Sequence, residues 1–261
     1  MLLGVDGAPG DASKYNTNSD VMVFANYNRE TKKIKMISIP RDTYVDTLTT
    51  PIPKINSAHA KGGCELSKEV VGDLLKTKVD YFVKINYEGF HKFIDAIGGV
   101  DVVIPRNMYY DDASQNLHIH FNKGEKVHLD GQKAEEYIRW RKNNDNTGFD
   151  DRDLGRIKKM QDFMEAVMEK VKSPLIITKL NDIMNVVTES IKTDMPVNDI
   201  LKYGLEVTKI DKENIDMEVL PGEFNKIYNE YAKTKLDFYI VDRDKLGKIL
   251  EEDSEVKSSK K

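Results

Sequence analysis

Short apolar runs alternate along this chain with longer segments of helical period. Leu2–Asp6 is apolar and ends on a carboxylate, the pattern of a buried strand. Gly7–Ser19 is a Gly/Asn/Ser loop. Val21–Tyr27 is a second apolar strand entered at Asp20, and Ile34–Ile39 a third, stopped by Pro40. Lys54-Ile55-Asn56 with Ala58, Gly62 and Gly63 reads as a loop before a helix over Ser67–Leu75. Tyr81–Ile85 predicts a strand. Gly89–Ile97 predicts a helix with Phe90, Phe93, Ile94 and Ile97 on one face, ended by Gly98-Gly99. Strands follow at Val100–Ile104 and Leu117–Phe121, then a helix introduced by Leu129-Asp130-Gly131. Leu154–Val171 is a long helix, and Pro174 divides it from another over Leu175–Ile191. Asn198–Ile210 predicts a further helix. Strands at Ile215–Leu220 and Leu236–Val241 precede a last helix from Asp242 to Leu250.

Strands alternating with helices predict an α/β fold: a three-layer α/β/α single domain with a central mixed sheet flanked by helices. The expected boundaries are a domain over 1–250 and a flexible polar tail over 251–261. A chain of 261 residues, 39% hydrophobic and 32% charged, has ample core for this. Its net charge of −4 argues against a nucleic-acid partner, which needs a broad basic face. Any anion site is therefore local. Cys64, the single cysteine, reads as a small buried residue. His59, His118, His120 and His128 do not fall at zinc-site spacings. No apolar run is long enough to cross a bilayer. A chain that opens inside a strand at Met1 points to a longer natural protein with a preceding segment, a membrane anchor among the possibilities.

Three groups of residues carry candidate chemistry. Asp6 and Asp20 each border a strand. Arg41 and Asp42 follow Pro40 at the lip of the sheet, where open α/β folds place ligands, and Lys54 lies close by in sequence. The third group is in YIRWRKNNDNTGFDDRDLGRIKKMQ, Tyr137–Gln161: Arg139, Arg141, Asp153 and Arg156. Arg139 and Arg141 flank Trp140. In a helix they would diverge by roughly 200°, so they converge most easily where a helix ends, as Asn143-Asn144 suggests. Arg156 opens the long helix, near a positive helix N-terminus. Guanidinium forks grip phosphate oxygens bidentately. Together with a few carboxylates they suit a pyrophosphate held with Mg²⁺ or Mn²⁺. Each charge pair at about 4 Å is worth roughly 4 kcal/mol before desolvation, at an effective dielectric near 20. Plainer readings stand beside these: Asp6 as a loop cap, Arg41 as an exposed turn residue, Asp153 as a helix N-cap, Lys54 as a solvated lysine.

In series, these segments resemble the LytR–CpsA–Psr family of bacterial cell-wall enzymes. The resemblance is carried by LLGVD at Leu2–Asp6, NSD at Asn18–Asp20, SIPRDT at Ser38–Thr43 and KINSAHAKGG at Lys54–Gly63. It continues in DYFVKINYEGFHKFIDAIGGVDVVIP at Asp80–Pro105, MYYDD at Met108–Asp112, LDGQKAEEYIRWR at Leu129–Arg141 and DLGRIKKMQ at Asp153–Gln161. It covers roughly the first two thirds of the chain, in the family's order.

The resemblance implies a single-pass membrane protein whose catalytic domain lies at the extracellular face of the cell membrane. It implies transfer of an anionic glycopolymer, such as teichoic acid or capsular polysaccharide, from an undecaprenyl-pyrophosphate carrier to a peptidoglycan sugar hydroxyl. Asp6 and Asp20 then match the metal-binding acids. Arg41, Arg139, Arg141 and Arg156 match the pyrophosphate-binding arginines, with Lys54 a further phosphate contact. Asp153 matches an acid of the same site, and Asp42 and Asp153 both stand as candidates to orient the attacking hydroxyl. Phe82, Phe90, Phe93, Ile97 and Val102 fall in the region of the family's prenyl tunnel. The chain departs from the family at Asn18 and Arg152, and at Lys159-Met160, where the family reads Arg-Gln. A non-catalytic binder of polyprenyl-pyrophosphate lipids and a pyrophosphatase acting on the same carrier share this chemistry.

Overall fold

The computed structural model describes residues 1–6, 17–149 and 153–258, with Asp153 and 252–258 described by backbone alone. In chain order, the strands β1 Leu2–Val5, β2 Ser19–Asn28 and β3 Lys33–Ser38 lead into helix α1 Ser57–Leu75. Then come β4 Val83–Ile85, α2 Tyr87–Ile97, β5 Val100–Val103, β6 Met108–Asp112, β7 Leu117–Phe121 and β8 Lys126–Leu129. Helices α3 Gly131–Arg139, α4 Asp153–Val171 and α5 Leu180–Ser190 follow. The chain continues through β9 Lys192–Thr193, α6 Val197–Val207, β10 Ile215–Val219, β11 Gly222–Asn229, β12 Thr234–Val241 and α7 Arg243–Ser258. The class is the expected α/β one, with a mixed sheet and flanking helices.

The residues form two compact units. The first comprises 1–84, 193–195 and 216–261, and the second 85–192 and 196–215. The first is built on a six-stranded sheet, order β10-β3-β2-β1-β4-β9. Its core joins Leu3, Met22, Phe24 and Ile37 to Val71, Leu74 and Leu75 of α1, and to Tyr239 and Leu246. Cys64 and Phe82 are buried in this core, the former as expected. The core of the second unit gathers Ile94 and Ile97 of α2, Ile119 and Phe121 of β7, Tyr137 and Trp140 at the end of α3, and Phe163 of α4. Val102 is buried in it, and Phe90 and Phe93 pack against it.

One expectation needs correction. Lys54–Gly63 is not all loop, because α1 begins at Ser57; Gly62 and Gly63 leave helical geometry, with Gly63 at φ 66°, and kink the helix where the sequence seemed to break it. The fold adds to the expected central mixed sheet small strand pairs that the sequence pattern does not separate from it. Besides the six-stranded sheet, β11–β12, β5–β8 and β6–β7 form separate two-stranded antiparallel pairs. Three of those strands, β6, β8 and β11, carry too little apolar alternation to be legible: β11 (GEFNKIYN) is mostly exposed.

Candidate functional site

In the first unit, four of the five expected residues form one chain of ion pairs. The ladder between β1 and β2 pairs Gly4 with Val21 but Val5 with Ser19, so Ser19 and Asp20 together stand opposite Val5. Such a bulge re-aims a side chain, here Asp20 at the end of the strand pair. After β3 the chain turns at Pro40. The Thr43 amide and hydroxyl both donate to the Pro40 carbonyl, at 3.0 and 2.6 Å. The segment behind Pro40 is held on both sides. Asn56 N donates to Arg41 O and Ile55 N to Thr43 O, while Tyr239 N of β12 donates to Asp42 O. This backbone clamp fixes where Arg41 and Asp42 point. Arg41 Nη1 donates to Asp20 Oδ1 at 2.8 Å, and its Nε lies 3.6 Å from Asp42 Oδ2. Lys54 Nζ reaches Asp42 Oδ1 at 2.7 Å and sits 5.4 Å from the centre of the Phe238 ring. Lys54 is thus tied to Asp42 rather than loosely solvated. Asp6, exposed, follows directly on β1.

In the second unit, α3 starts at Asp130, whose side chain accepts from Lys133 N at 2.9 Å as an N-cap. The helix ends on Arg139, as the Asn143-Asn144 pattern suggested. Arg139 Nη1 donates to Glu135 Oε1 at 2.7 Å, its Nη2 to Gln115, and its guanidinium lies 5.1 Å from the Tyr87 ring centre. Glu135 also accepts from His91. None of these four neighbours was anticipated. The Glu135–Arg139 spacing of one helical turn was the available signal, and Tyr87, His91 and Gln115 offered none.

Trp140, with 0% of its surface exposed, anchors the segment between the arginines. Its Nε1 donates to Asn143 Oδ1 at 3.0 Å, and Arg106 covers both it and Phe149 at 5.6 and 5.2 Å. Arg141 is exposed beyond it. Arg156 lies in the first turn of α4, and Asp153 is that helix's first residue. Lys159, one turn further, is 2% exposed. Burial lowers its pKa well below the usual lysine range, and the charges of Arg156 and then Arg141 push the same way. Arg141 and Arg156 are therefore both within electrostatic reach of one buried ammonium. Met160 packs against the apolar core. Asn18 is exposed, and Arg152 lies outside the described residues.

Among the described residues, no group of three or more His, Cys, Asp or Glu side chains is placed to hold a metal by itself. Asp6, the residue after β1, and Asp20, the second residue of β2, offer hard carboxylate oxygens. That donor set fits Mg²⁺, which takes one or two carboxylates and completes its shell with water and substrate phosphates.

Residues 1–255 match the LytR_cpsA_psr family model. The chain belongs to the LytR–CpsA–Psr family. Among its relatives is the polyisoprenyl-teichoic acid–peptidoglycan teichoic acid transferase TagU of Bacillus licheniformis, 31% identical over 253 residues, which are 97% of this chain and 75% of that protein. The corresponding transferase TagV of Bacillus subtilis is 32% identical over 230 residues, 84% of this chain and 57% of that one. The crystal structure of B. subtilis TagV superposes with a TM-score of 0.79 at 26% identity, covering 97% of this chain and 95% of that one. TagT bound to LI-WTA shares the fold, with a TM-score of 0.72 at 23% identity over 97% of this chain and 88% of that one.

Proposed function

We propose that this protein is a phosphotransferase. In this reading it moves an anionic glycopolymer, teichoic acid-like or a capsular or secondary wall polysaccharide, from an undecaprenyl-pyrophosphate carrier to a peptidoglycan sugar hydroxyl. The observation that carries it is the family match over residues 1–255, together with relatives named as teichoic acid transferases. The reading puts the protein at the extracellular face of the cell membrane, where such a carrier and its acceptor meet.

The pyrophosphate roles of Arg41, Arg139, Arg141 and Arg156, with Lys54 beside Asp42, rest on their motif positions. Permanently charged donors suit a group whose negative charge grows as the bond breaks. The acceptor hydroxyl oxygen attacks the phosphorus nearer the polymer. The phosphoanhydride bond breaks, prenyl phosphate departs, and the hydroxyl proton passes to Asp42 or Asp153. Asp6 and Asp20 would hold Mg²⁺ or Mn²⁺, which adds positive charge against the phosphate oxygens when bound.

The test is transfer in vitro from lipid-linked polymer to peptidoglycan. Arg139→Ala should abolish transfer while leaving the circular dichroism spectrum intact; full transfer by that variant would overturn the reading. Met160, where the family has a glutamine and this chain an apolar packing residue, favours a second reading, a non-catalytic binder of the same lipid. Tight binding of the carrier with no turnover to either transfer or hydrolysis products would select it.

A further inference from the structure

Helix α3 ends without the usual device. The last carbonyls of a helix lack intrahelical partners and are commonly satisfied through a left-handed glycine. Here the residue after the helix is Trp140, at φ −58° and ψ 127°, and its N–H returns to Glu136 O. Two of the last helical carbonyls, and the carbonyl of Trp140 just beyond, meet a side chain from α4. Lys159 Nζ donates to Tyr137 O at 2.5 Å and to Trp140 O at 2.8 Å, with Ile138 O at 3.4 Å. The same ammonium stands 5.1 and 5.4 Å from the ring centres of Tyr137 and Trp140.

We propose that Lys159 is a positioning residue for the arginines of the second unit: it pins the end of α3 to α4 and so sets the direction in which Arg139 and Arg141 leave Trp140. The proposal rests on the pyrophosphate reading of those arginines. A lysine ammonium has three donors on a tetrahedral centre, and three carbonyls surround it. They lie at the negative end of the α3 dipole, where a cation is favoured. Both rings present their faces to it. These contacts oppose the cost of burying a charge beside Arg156 and Arg141.

An apolar residue at 159 could pack against Trp140 but would leave the carbonyls of Tyr137 and Trp140 without this donor, so packing alone does not explain the lysine. What the ammonium adds is direction. Arg139 and Arg141 stand at i and i+2, which point apart in a helix and together only if the backbone leaves the helix between them. That exit occurs at Trp140, whose carbonyl Lys159 holds. Arg156 lies three residues before Lys159 on α4, so one side chain ties the backbone between Arg139 and Arg141 to the turn of α4 that carries Arg156. A guanidinium, planar and wider, meets the same carbonyls through a flat fork.

Trp140 is the only tryptophan in the chain, so its fluorescence reports on this contact directly. The test compares full-length wild type with Lys159→Met, Lys159→Gln and Lys159→Arg. Farnesyl pyrophosphate binding is followed by calorimetry, and Trp140 emission and anisotropy are recorded alongside far-ultraviolet circular dichroism. The proposal expects Lys159→Met to keep its far-ultraviolet spectrum, shift Trp140 emission, and bind farnesyl pyrophosphate roughly tenfold more weakly, the scale of one lost charged hydrogen bond. Lys159→Arg should recover most of both signals, and Lys159→Gln, an uncharged donor, should fall between; Gln also serves should the Met variant not fold. A shifted Trp140 signal with wild-type affinity would reduce Lys159 to a packing residue and overturn the proposal, as would wild-type values of both. Arg139→Ala, measured in parallel, separates the two claims: wild-type affinity in that variant overturns the pyrophosphate reading itself, whatever Lys159 does to Trp140.

Discussion

Glu135 and Arg139 are joined one turn apart on α3 at 2.7 Å, and His91 takes the other oxygen of the same carboxylate. Arg139 is therefore a restrained fork, gripped by Glu135 and Gln115 and laid against Tyr87. Side chains held in this way lose less entropy on binding a phosphate than solvated ones do. Glu135→Ala should lower kcat/KM for polymer transfer by roughly tenfold, the scale of one charged hydrogen bond. Steady-state kinetics on lipid-linked polymer checks this, and an unchanged kcat/KM would show that Arg139 does not need its carboxylate.

Arg41 offers a contrast between charge and shape. Arg41→Lys keeps the positive charge beside Asp20 and Asp42 but loses the fork. Farnesyl pyrophosphate should bind this variant several-fold to about tenfold more weakly, the cost of one bidentate contact. Titration calorimetry reads the difference, and equal affinity would mean that Arg41 acts only as a point charge.

The metal assignment predicts a shift in metal demand. Asp6→Asn combined with Asp20→Asn should raise the Mg²⁺ concentration needed for half-maximal transfer by at least roughly tenfold. Chelation should silence the wild type, and Mg²⁺ should restore it. Transfer that persists in excess chelator would remove the metal from the reaction.

A pH dependence follows from Asp194 and Lys68. Burial alone would raise the Asp194 pKa, but the hydrogen bonds from Lys68 at 2.6 Å and from Phe82 N at 2.7 Å outweigh it and hold the carboxyl below its usual value. Lys68 is correspondingly raised, chiefly by the bond to Asp194. A depressed carboxyl pKa stabilises the fold above the unfolded value and loses that contribution as pH falls through the folded value. The raised lysine contributes below its unfolded pKa, and that contribution is lost only as pH rises through its folded value. Asp194→Asn should therefore flatten the loss of stability with acid below about pH 4, near the ordinary carboxyl pKa. Urea unfolding at a series of pH values measures it, and parallel curves for the two proteins would contradict the assignment.

Gly131 marks where α3 meets α2. A Cβ there would come within 2.6 Å of His91 O and 2.7 Å of His91 Cα, and Gly131 N donates to Asp95 Oδ1 at 2.8 Å. Gly131→Ala should cost about 1–3 kcal/mol, as overpacking does. Chemical denaturation reads that loss. The glycine of LDGQKAEEYIRWR thus has a packing reason.

Much of this was legible in the sequence because it follows from periodicity. The strands expected at Leu2–Asp6, Val21–Tyr27 and Ile34–Ile39 form as β1 Leu2–Val5, β2 Ser19–Asn28 and β3 Lys33–Ser38, each within two residues of the expected ends. The turn behind Pro40 carries Arg41 and Asp42 where the sequence predicted. Other parts depend on contacts distant in sequence. The backbone clamp on Asp42 comes from Tyr239, and the Arg139 cradle draws on Tyr87, His91 and Gln115. Lys159 read as a departure from the family pattern; only the fold shows it buried under a helix end. The final helix runs past its expected end at Leu250, with no proline between Arg243 and Ser258 to stop it.

The extra residue in β2 carries a consequence for tolerance to length change. On one side of Asp20 the strand's in–out alternation keeps step with β1, and on the other it is offset by one. A chain one residue shorter at this point would zip evenly and seal the seam, turning the side chain now at the seam into an ordinary rung. The first unit would keep its sheet and lose the acidic lip beside Arg41.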